Sequence, residues 1–421
     1  MRRGLPTPVG DDHAALPGAS ALMDSLEQVP VSHRADAVAG LLATLPSTPV
    51  FEERRLVDGV DCVATTFLAV HPRHEDQVLV HVNSVTDRHR ENIAPAVMAR
   101  LDGTDLWHLT WWLPVDLVAS YRLAIGEPFP DDVGSTRPGW LEVHRRGAVD
   151  PRNPHRLPNP LGEESSVLIA PQARLHEAWE PEFVRTVAPV EERRIVCPVL
   201  GQERTMWIAG PSEGGRAERL LIAFDGDWWH DGLGLADVLA THDPGLAVVM
   251  VSSIGPQQRS AVLPRPDAVG RMLAEGVLPV VRDVLGALPD PEHTVVAGQS
   301  FGGLAAAGVV ATRPDIALRA VVQSGSFQYK DGQDMARDDR VAGDVVFRVR
   351  EQGMPPGAVL AVQWGSEEQE LGSVGEQFVA AALAAGSQVT SQVYAGGHDY
   401  AWWRTGLLDA IDAGIGRSLP A

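Results

Sequence analysis

The hydrophobic pattern changes its character about halfway along the chain. In the first half, short runs of apolar and β-branched residues are separated by turn signals such as Asp58-Gly59 and Asp102-Gly103. Such runs are typical of antiparallel strands in a β-sandwich. We expect one helix at 35–45, followed by four strands at 60–69, 77–82, 107–113 and 119–125.

In the second half, continuous apolar runs alternate with segments of helical periodicity such as 268–288 and 375–385. A strand that is apolar on both faces is typical of a parallel sheet covered by helices on each side. The runs that we assign to buried strands are 220–224, 246–251, 294–297, 320–322 and 359–363. The pattern therefore predicts a mostly parallel sheet from about residue 191 onward.

Proline and glycine are dense between Glu127 and Pro189. Because proline removes a backbone donor and restricts the residue before it, we predict irregular structure there. The predicted division of the chain is a loose arm at 1–30, a β-sandwich-like domain at 31–150, a Pro-rich connection at 151–190 and the parallel-sheet domain at 191–421.

Composition narrows the function classes. The 421 residues are 44% hydrophobic and 21% charged, as in folded globular proteins. The formal net charge of -20 argues against nucleic acid as the main partner. An anionic ligand would need a local cluster of positive side chains to offset the negative net charge. Those side chains would be arginines, because Lys330 is the one lysine in the sequence.

The cysteines and the apolar runs indicate the compartment. Cys62 and Cys197 are the two cysteines, far apart in sequence, and we expect buried, reduced thiols. The start of the sequence lacks the apolar core of a signal peptide, and no run reaches the roughly 18 apolar residues of a membrane span. We therefore expect a cytoplasmic protein that does not enter the membrane.

The sharpest local signal is the sequence GQSFGG at 298–303, which directly follows the strand predicted at 294–297. A nucleophile elbow needs this context, because its tight strand-to-helix turn tolerates only small neighbours. The turn would place the Ser300 hydroxyl at the carboxyl edge of the sheet and the Phe301 amide in an oxyanion hole. We therefore predict an α/β-hydrolase domain with Ser300 as nucleophile; the alternative is a glycine-rich packing turn.

A serine nucleophile needs a base and an acid, which follow it along the chain in this fold. The histidine after Ser300 is His398, in AGGHDY at 395–400, where two glycines would give the chain freedom to turn the imidazole toward the elbow. For the acid we place Glu368 first and Glu367 second, both in the loop after the strand that ends near residue 364. The alternative for these carboxylates is a solvated, acidic helix start. We set Asp399 aside, because neighbouring side chains in sequence rarely face each other.

The segment FDGDWW at 224–229 ends a buried strand and is the candidate for the second oxyanion donor. Gly226 would let the backbone approach the substrate closely. Two tryptophan pairs, at 228–229 and 402–403, follow this segment and His398 respectively. We expect Trp228, Trp229 and Trp402 to form an aromatic wall at the mouth of the site; ordinary packing is the alternative.

Arg259 and Arg404 occupy comparable loop positions and are candidates to face an anion, although an isolated arginine is often a solvated charge. His71 and His74 lie in a loop without nearby cysteines, so a solvated polar loop is favoured there over a metal site. We found no phosphate-binding glycine loop. We therefore expect no metal and no cofactor bound by the protein.

The sequence resembles a known family, the two-domain ferric enterobactin (enterochelin) esterases of siderophore metabolism. The resemblance covers most of the chain from about residue 50 onward. It rests on VNSVTDRH at 82–89, GTDLW at 103–107, DPRNP at 150–154, FDG at 224–226, AGQSFGG at 297–303, QSGSF at 323–327 and GGHD at 396–399.

The resemblance implies a ferric tri-catecholate siderophore as substrate, with iron entering only as part of it. Ester hydrolysis would open the trilactone and assist iron release in the cytoplasm. The roles carried over are Ser300 as nucleophile, His398 as base and Glu368 as acid. The N-terminal domain would bind substrate, with Arg88 and Arg90 closing over it; surface charge is the alternative for each.

One departure from the family pattern concerns the loop after Arg259. The family often has an acid near this arginine, where this sequence has Val262. Two other functions remain open from the sequence. One is a general carboxylesterase or acyltransferase, which small esters would reveal. The other is a siderophore-binding protein without catalysis, against which the intact Ser300 and His398 argue.

Overall fold

The computed structural model describes residues 16–158, 163–180, 182–184, 186–333 and 340–417. The chain divides into two compact units. Unit 1 contains the residues up to Arg174 together with Ala395–Ala401, and unit 2 contains Leu175–Tyr394 and the residues from Trp402 onward. The short segment that includes His398 therefore belongs to unit 1.

Unit 1 is built mainly from antiparallel strands. Its elements are β1 (Leu16–Pro17), α1 (Ala21–Glu27), α2 (Val31–Thr44), β2 (Val50–Val57), β3 (Val60–Val70), β4 (Gln77–Val82), β5 (Ala99–Arg100), β6 (Leu106–Pro114), β7 (Val118–Gly126), α3 (Arg137–Arg146), β8 (Gly147–Ala148), β9 (Arg156–Pro158) and β10 (Glu164–Ile169). They form two five-stranded sheets, β1-β6-β3-β2 with β5 on β6, and β4-β7-β10-β9 with β8 on β7.

The two sheets of unit 1 share one hydrophobic core. Phe67 on β3 contacts Trp111 on β6 and Tyr121 on β7 edge to face, with ring centroids 5.9 and 5.2 Å apart. This T-shaped geometry is favoured because the positive ring edge meets the negative ring face. The predicted sandwich is confirmed, as are its four predicted strands to within one residue at each end.

Two parts of unit 1 differ from the prediction. The stretch 151–190 is not purely a connection, because β9 and β10 lie in it and complete the second sheet. The stretch 1–30 is not simply a loose arm: α1 lies within it, and the Ser20 side chain caps α1 by accepting a hydrogen bond from the Met23 amide. Residues 1–15 lie outside the described part of the chain.

Buried polar side chains explain how a proline-rich segment joins a core. Asp150 is 1% exposed and accepts hydrogen bonds from the hydroxyls of Thr48 and Tyr121, each at 2.7 Å. Asn153 donates to the Val167 carbonyl of β10 at 2.9 Å. Burial, together with the neighbouring Asp150 carboxylate, raises the pKa of Tyr121 well above its usual value, so its hydroxyl stays a donor.

Unit 2 is built around one large sheet. Its strands and α-helices are β11 (Val190–Val196), β12 (Glu203–Ala209), β13 (Arg219–Phe224), α4 (Leu235–His242), β14 (Leu246–Val251), α5 (Pro256–Val262), α6 (Pro266–Arg271), α7 (Leu278–Leu285), β15 (Thr294–Gln299), α8 (Phe301–Thr312), β16 (Arg319–Gln323), α9 (Asp344–Gln352), β17 (Val359–Gly365), α10 (Gln369–Ala384), β18 (Gln388–Tyr394) and, from Trp402 onward, α11 (Tyr400–Asp412). The strand order is β11-β12-β14-β13-β15-β16-β17-β18.

The strands of this sheet are parallel from β14 to β18, and β12 and β11 add antiparallel edges. Every residue of β14, β15 and β16 is buried, which explains their continuous apolar runs. The mostly parallel sheet is thus confirmed. The antiparallel strands β11 and β12 were not predicted, because charged residues interrupt their apolar pattern.

Among the helices of the described residues, none has both the length and the apolar character that crossing a membrane requires.

We predict that Asp150→Ala destabilises the full chain. The substitution leaves the hydroxyls of Thr48 and Tyr121 without their buried acceptor, so the free energy of unfolding should fall by about 3 kcal/mol. Urea unfolding measures this loss. Asp116→Ala, at an exposed turn position, is the matched control. An equal effect of both substitutions would contradict the role given to Asp150.

Candidate active site

Ser300 occupies a sharp turn between β15 and α8. Its backbone has φ +58° and ψ -119°, a conformation rarely adopted by residues with a side chain. The neighbouring glycines are required by close contact: a Cβ on Gly298 would lie 2.4 Å from the carbonyl carbon of Gly302, and one on Gly303 would lie 2.8 Å from the Gln323 carbonyl oxygen. The motif therefore has the strand–turn–helix geometry of a nucleophile elbow.

Two neighbouring strands end in the same way as β15. Asp225 follows β13 with φ +56°, and Ser324 follows β16 with φ +48°. The Ser300 amide donates to the Gln323 carbonyl at 2.9 Å, and the Ser324 amide donates to the Gln363 carbonyl at 2.7 Å. These bonds hold the turns at one edge of the sheet, where parallel α/β sheets bind their ligands.

Ser326 is a neighbour of Ser300 that the sequence analysis did not single out. The two hydroxyl oxygens are 3.2 Å apart, and the Ser326 amide donates to the Ser300 carbonyl at 3.2 Å. Ser326 is 3% exposed. The available signal was its place in the QSGSF segment, which begins at the last residue of β16, the strand next to β15.

Glu368 is buried, with 5% of its surface exposed, so the solvated helix start is wrong for this residue. Its Oε2 accepts hydrogen bonds from the Ser324 hydroxyl at 2.6 Å and from the Gly365 amide at 2.7 Å. The Ser324 oxygen in turn accepts from the Trp403 indole at 2.8 Å. Glu367 is half-buried and accepts from the Ser366 hydroxyl at 3.1 Å. Of the two candidate acids, Glu368 is the one fixed in a buried network.

The loop that carries His398 is held inside unit 1. The His398 amide donates to the Ser84 hydroxyl at 2.9 Å, and the Ala395 carbonyl accepts from the Val118 amide at 2.9 Å. A Cβ on Gly397 would lie 2.5 Å from the Ser84 oxygen. Close packing, rather than freedom to turn, therefore requires this glycine. Asp399 accepts from the Ser120 amide at 2.5 Å, so its carboxylate fixes the backbone of the loop.

Comparisons with known proteins bear on this arrangement. A family model described as "Enterochelin esterase, N-terminal" matches residues 66–179, and one described as "Putative esterase" matches residues 198–413. The iron(III) enterobactin esterase of Dickeya dadantii (strain 3937) is 30% identical over 419 residues, covering 89% of this chain and 95% of that relative. The chain belongs to the enterobactin esterase family.

Two further comparisons support the membership of this chain in the family. The iron(III) salmochelin esterase of Escherichia coli O6:H1 is 28% identical, covering 82% of this chain and 86% of that relative. The crystal structure of ferric enterobactin esterase from Salmonella typhimurium has a TM-score of 0.78 at 27% identity, covering 89% of this chain and 97% of that one. The predicted family and its α/β-hydrolase fold with a preceding sandwich are confirmed, and the chain is an ester hydrolase.

In this esterase the glycine of the predicted oxyanion loop is required by its neighbouring strand. A Cβ on Gly226 would lie 2.4 Å from backbone atoms of Met250 and Val251 at the end of β14. The contact with β14 therefore accounts for the glycine, and the interpretation that it clears room for substrate is not needed. A role of the Gly226 amide in the oxyanion hole stays a prediction.

Arg259 is engaged differently from the prediction that it faces an anionic ligand. Its Nε and Nη2 donate to the two carboxylate oxygens of Asp225, each at 2.7 Å, and Nη2 also donates to the Gln299 carbonyl at 3.1 Å. Such a two-pronged pair is strong because the guanidinium matches the carboxylate geometry. Arg259 therefore joins the turn after β13 to the residue before Ser300. Val262 is fully buried in the core of unit 2.

The predicted aromatic wall is largely wrong. Trp229 is 0% exposed, and its indole donates to the Gln299 side chain at 3.3 Å. Trp402 is 2% exposed and stacks on Tyr394 with ring centroids 4.8 Å apart, and Trp403 is 4% exposed. Large apolar rings gain most from complete burial, so packing determined their positions. Trp228 is half-buried, and its contact with substrate stays a prediction.

The remaining arginine predictions have mixed outcomes. Arg90 donates through Nε to Asp87 at 2.9 Å and lies 4.8 Å above the Trp140 ring, so it stabilises unit 1. Arg88 is half-buried in the turn Thr86–His89, and Arg404 is half-buried in α11. Binding of substrate by these two side chains stays a prediction.

Two groups of histidines are candidate metal ligands. His71 and His74 hydrogen-bond to different aspartates, Asp76 at 2.7 Å and Asp105 at 3.1 Å, in agreement with a polar loop. In unit 2, potential ligand atoms of His176, His242 and Asp412 lie within 4.8 Å of one another.

In this second group, hydrogen bonds determine which ring nitrogen of His176 carries a proton. Nδ1 of His176 accepts from the Ala178 amide, so Nε2 carries the proton that it donates to Asp412 at 3.0 Å. A metal would need that Nε2 deprotonated, and the proton would move to Nδ1, against the Ala178 amide. Burial alone would raise the pKa of Asp412, but hydrogen bonds from His176 and His242 lower it below its usual value. The donor set therefore suits a hydrogen-bonded cluster better than a metal centre.

A cavity of about 430 Å³ lies elsewhere in unit 2. Tyr329 lines it and contacts Phe301 edge to face, with ring centroids 5.7 Å apart. Its three arginines are paired: Arg265 with Asp331 at 2.8 Å, Arg271 with Glu275 at 3.6 Å and Arg348 with Asp267 at 3.4 Å. None of the site residues predicted from the sequence lines this cavity.

We predict that Arg259→Gln acts on stability rather than on substrate affinity. Asp225 is 5% exposed and loses its cation, while the 26% exposure of Arg259 reduces the effect. The free energy of unfolding should fall by about 2 kcal/mol. Urea unfolding and KM measure the two alternatives, with exposed Arg282→Gln as control. A raised KM at unchanged stability would instead restore the anion-binding role.

Proposed function

We propose that this chain hydrolyses the trilactone esters of a ferric catecholate siderophore of the enterobactin type. Ser300 is the nucleophile, His398 the general base and Glu368 the acid that orients it. The observation that carries the proposal is the backbone of Ser300, which has φ +58° in a turn that only glycine neighbours permit. The names of the similar proteins from Dickeya dadantii and Salmonella typhimurium support the choice of substrate.

In the first step, Ser300 Oγ attacks the carbonyl carbon of an ester and gives its proton to His398. Negative charge develops on the carbonyl oxygen, where the Phe301 amide at the start of α8 is the first proposed donor. The Gly226 amide is the second proposed donor. The carbon–oxygen bond to the serine-derived alcohol of the siderophore then breaks, and that alcohol takes the proton from His398.

In the second step, water hydrolyses the acyl ester on Ser300. The water attacks the acyl carbon while His398 removes one of its protons. The bond from the acyl carbon to Ser300 Oγ then breaks, and Ser300 Oγ takes that proton from His398. Glu368 is suited to orient the imidazole, because the Ser324 hydroxyl and the Gly365 amide fix its carboxylate. This chemistry needs no cofactor bound by the protein, and iron takes part as a component of the substrate.

Opening the trilactone weakens the hold on iron. The intact ring keeps three catechol groups at a high effective concentration around one ion, and fragments lose this advantage. The cytoplasm is the proposed compartment, since Cys62 and Cys197 are buried and form no disulfide, as expected in a reducing compartment. Trp228, Arg88 and Arg404 are the proposed contacts with the anionic, aromatic substrate.

Substitution of Ser300 tests the assignment of the nucleophile. Wild-type protein should convert ferric enterobactin to linear trimer, dimer and monomer, and Ser300→Ala should lower kcat by about 10⁴-fold or more. Chromatography of the products over time measures both rates. Ser25→Ala, exposed on α1, is the control for the serine substitution.

Three outcomes separate the alternatives. Cleavage by Ser300→Ala at the wild-type rate would refute the catalytic role. Tight binding of ferric siderophore without cleavage by the wild type would indicate a binding protein. Fast hydrolysis of short-chain esters, with little action on the siderophore, would indicate a general carboxylesterase, since a specialist uses binding energy from the whole substrate.

A second prediction distinguishes the two candidate acids. Glu368→Gln should lower kcat by about 10⁴-fold, because a neutral amide cannot stabilise the imidazolium that forms in the reaction. Glu367→Gln, the adjacent matched variant, should retain a kcat close to wild type. Rates on ferric enterobactin, with melting temperatures to verify folding, test the pair. The reverse ranking would assign the acid to Glu367.

A further inference from the structure

The turn after β4 holds the backbone of the proposed general base. The Ser84 hydroxyl donates its one hydrogen to the Asn83 side-chain oxygen at 3.0 Å. Its oxygen is therefore oriented as an acceptor, and it receives the His398 amide at 2.9 Å. The two residues are 314 positions apart in the chain, and both belong to unit 1.

Ser84 is itself fixed in an uncommon conformation. Its φ is +61°, and its amide donates to Asp87 Oδ2 at 3.0 Å. The other carboxylate oxygen of Asp87 accepts from Arg90 Nε at 2.9 Å and from the Trp140 indole at 2.7 Å. Hydrogen bonds to a charged acceptor are stronger than those between neutral groups. The turn that presents the Ser84 hydroxyl is thus held by several hydrogen bonds of its own.

The fit between this turn and the loop is tight. A Cβ on Gly397 would lie 2.5 Å from both side-chain atoms of Ser84 and 2.9 Å from the Asn83 carbonyl oxygen. On either side of His398, Ala395 and Asp399 bond to the backbone of β7. The loop is therefore held at Ala395, His398 and Asp399, and Ser84 provides the contact with His398 itself.

We propose that Ser84 is a positioning residue for catalysis, which acts by fixing the backbone of His398. The inference rests on the proposed function, because it takes His398 as the general base. It gives Ser84 a role in the rate of the reaction, beyond the binding of substrate. Misplacement of a catalytic group by about 1 Å can cost roughly 10²-fold in rate.

The test is a four-variant cycle in the full chain: wild type, Ser84→Ala, His398→Ala and the double variant. Ser84→Ala should lower kcat on ferric enterobactin by about 10- to 100-fold with little change in KM. In the His398→Ala background the same substitution should leave kcat nearly unchanged, because no base remains to be positioned. A structural role would give the same loss in both backgrounds.

The matched control is Thr86→Val in the same turn. It removes hydrogen bonds with the Val82 amide and the Val80 carbonyl, so it destabilises unit 1 without touching the loop. It should lower the melting temperature and leave kcat close to wild type. If Ser84→Ala fails to fold, Gly397→Ala is the second variant, since its new Cβ displaces the Ser84 hydroxyl, and it should show the same dependence on His398.

The outcomes distinguish this inference from the proposed function. Equal losses in both backgrounds, or a folded Ser84→Ala with the kcat of wild type, would overturn the positioning role alone. Full activity of His398→Ala would overturn the assignment of the base and this inference together. A loss confined to the background with His398 supports both.

Discussion

A residue that carries a side chain costs about 1–3 kcal/mol when its backbone is held in a sparsely populated region. Three adjacent strands of unit 2, β13, β15 and β16, are each followed by such a residue, namely Asp225, Ser300 and Ser324. The surrounding bonds hold this strain in place, and the glycines next to Ser300 make room for it. The geometry proposed for the nucleophile depends on this constraint at one edge of the sheet.

The polar side chains around this edge of the sheet form hydrogen bonds and ion pairs with one another. Arg259 ties Asp225 to the carbonyl just before Ser300, and Glu368 ties the turn at Ser324 to the end of β17. Buried charges are stable only when paired and hydrogen-bonded. Arg259 is therefore paired within the protein and does not serve as a binding group for an anion. Candidates for contact with the substrate must come from other half-buried residues.

Unit 1 follows the same principle with different residues. The half-buried Asp87 and the buried Asp150 each accept several hydrogen bonds and thereby stabilise irregular segments outside the sheets. The first of these segments supports the backbone of His398 through Ser84. The sandwich, for which the family resemblance implies substrate binding, thus also contains the support for a proposed catalytic group.

The sequence by itself determined the two kinds of sheet, most of their strands, the elbow at Ser300 and the family. The sheets and the elbow depend on local alternation, on continuous apolar runs and on glycines at fixed spacing, which are visible in any short window. The family was inferred from the resemblance of several motifs spread along the chain. It also directed attention to Glu368, although its burial was not readable.

Only the tertiary structure decided which neighbour each side chain meets. Trp229 and Trp402 lie in the core, Arg259 pairs with Asp225, and Gly397 is required by Ser84 from a distant part of the chain. Burial and pairing depend on contacts between residues far apart in sequence. Since the same tryptophan or arginine satisfies either a surface or an interior position, the three-dimensional packing alone determines which one it takes.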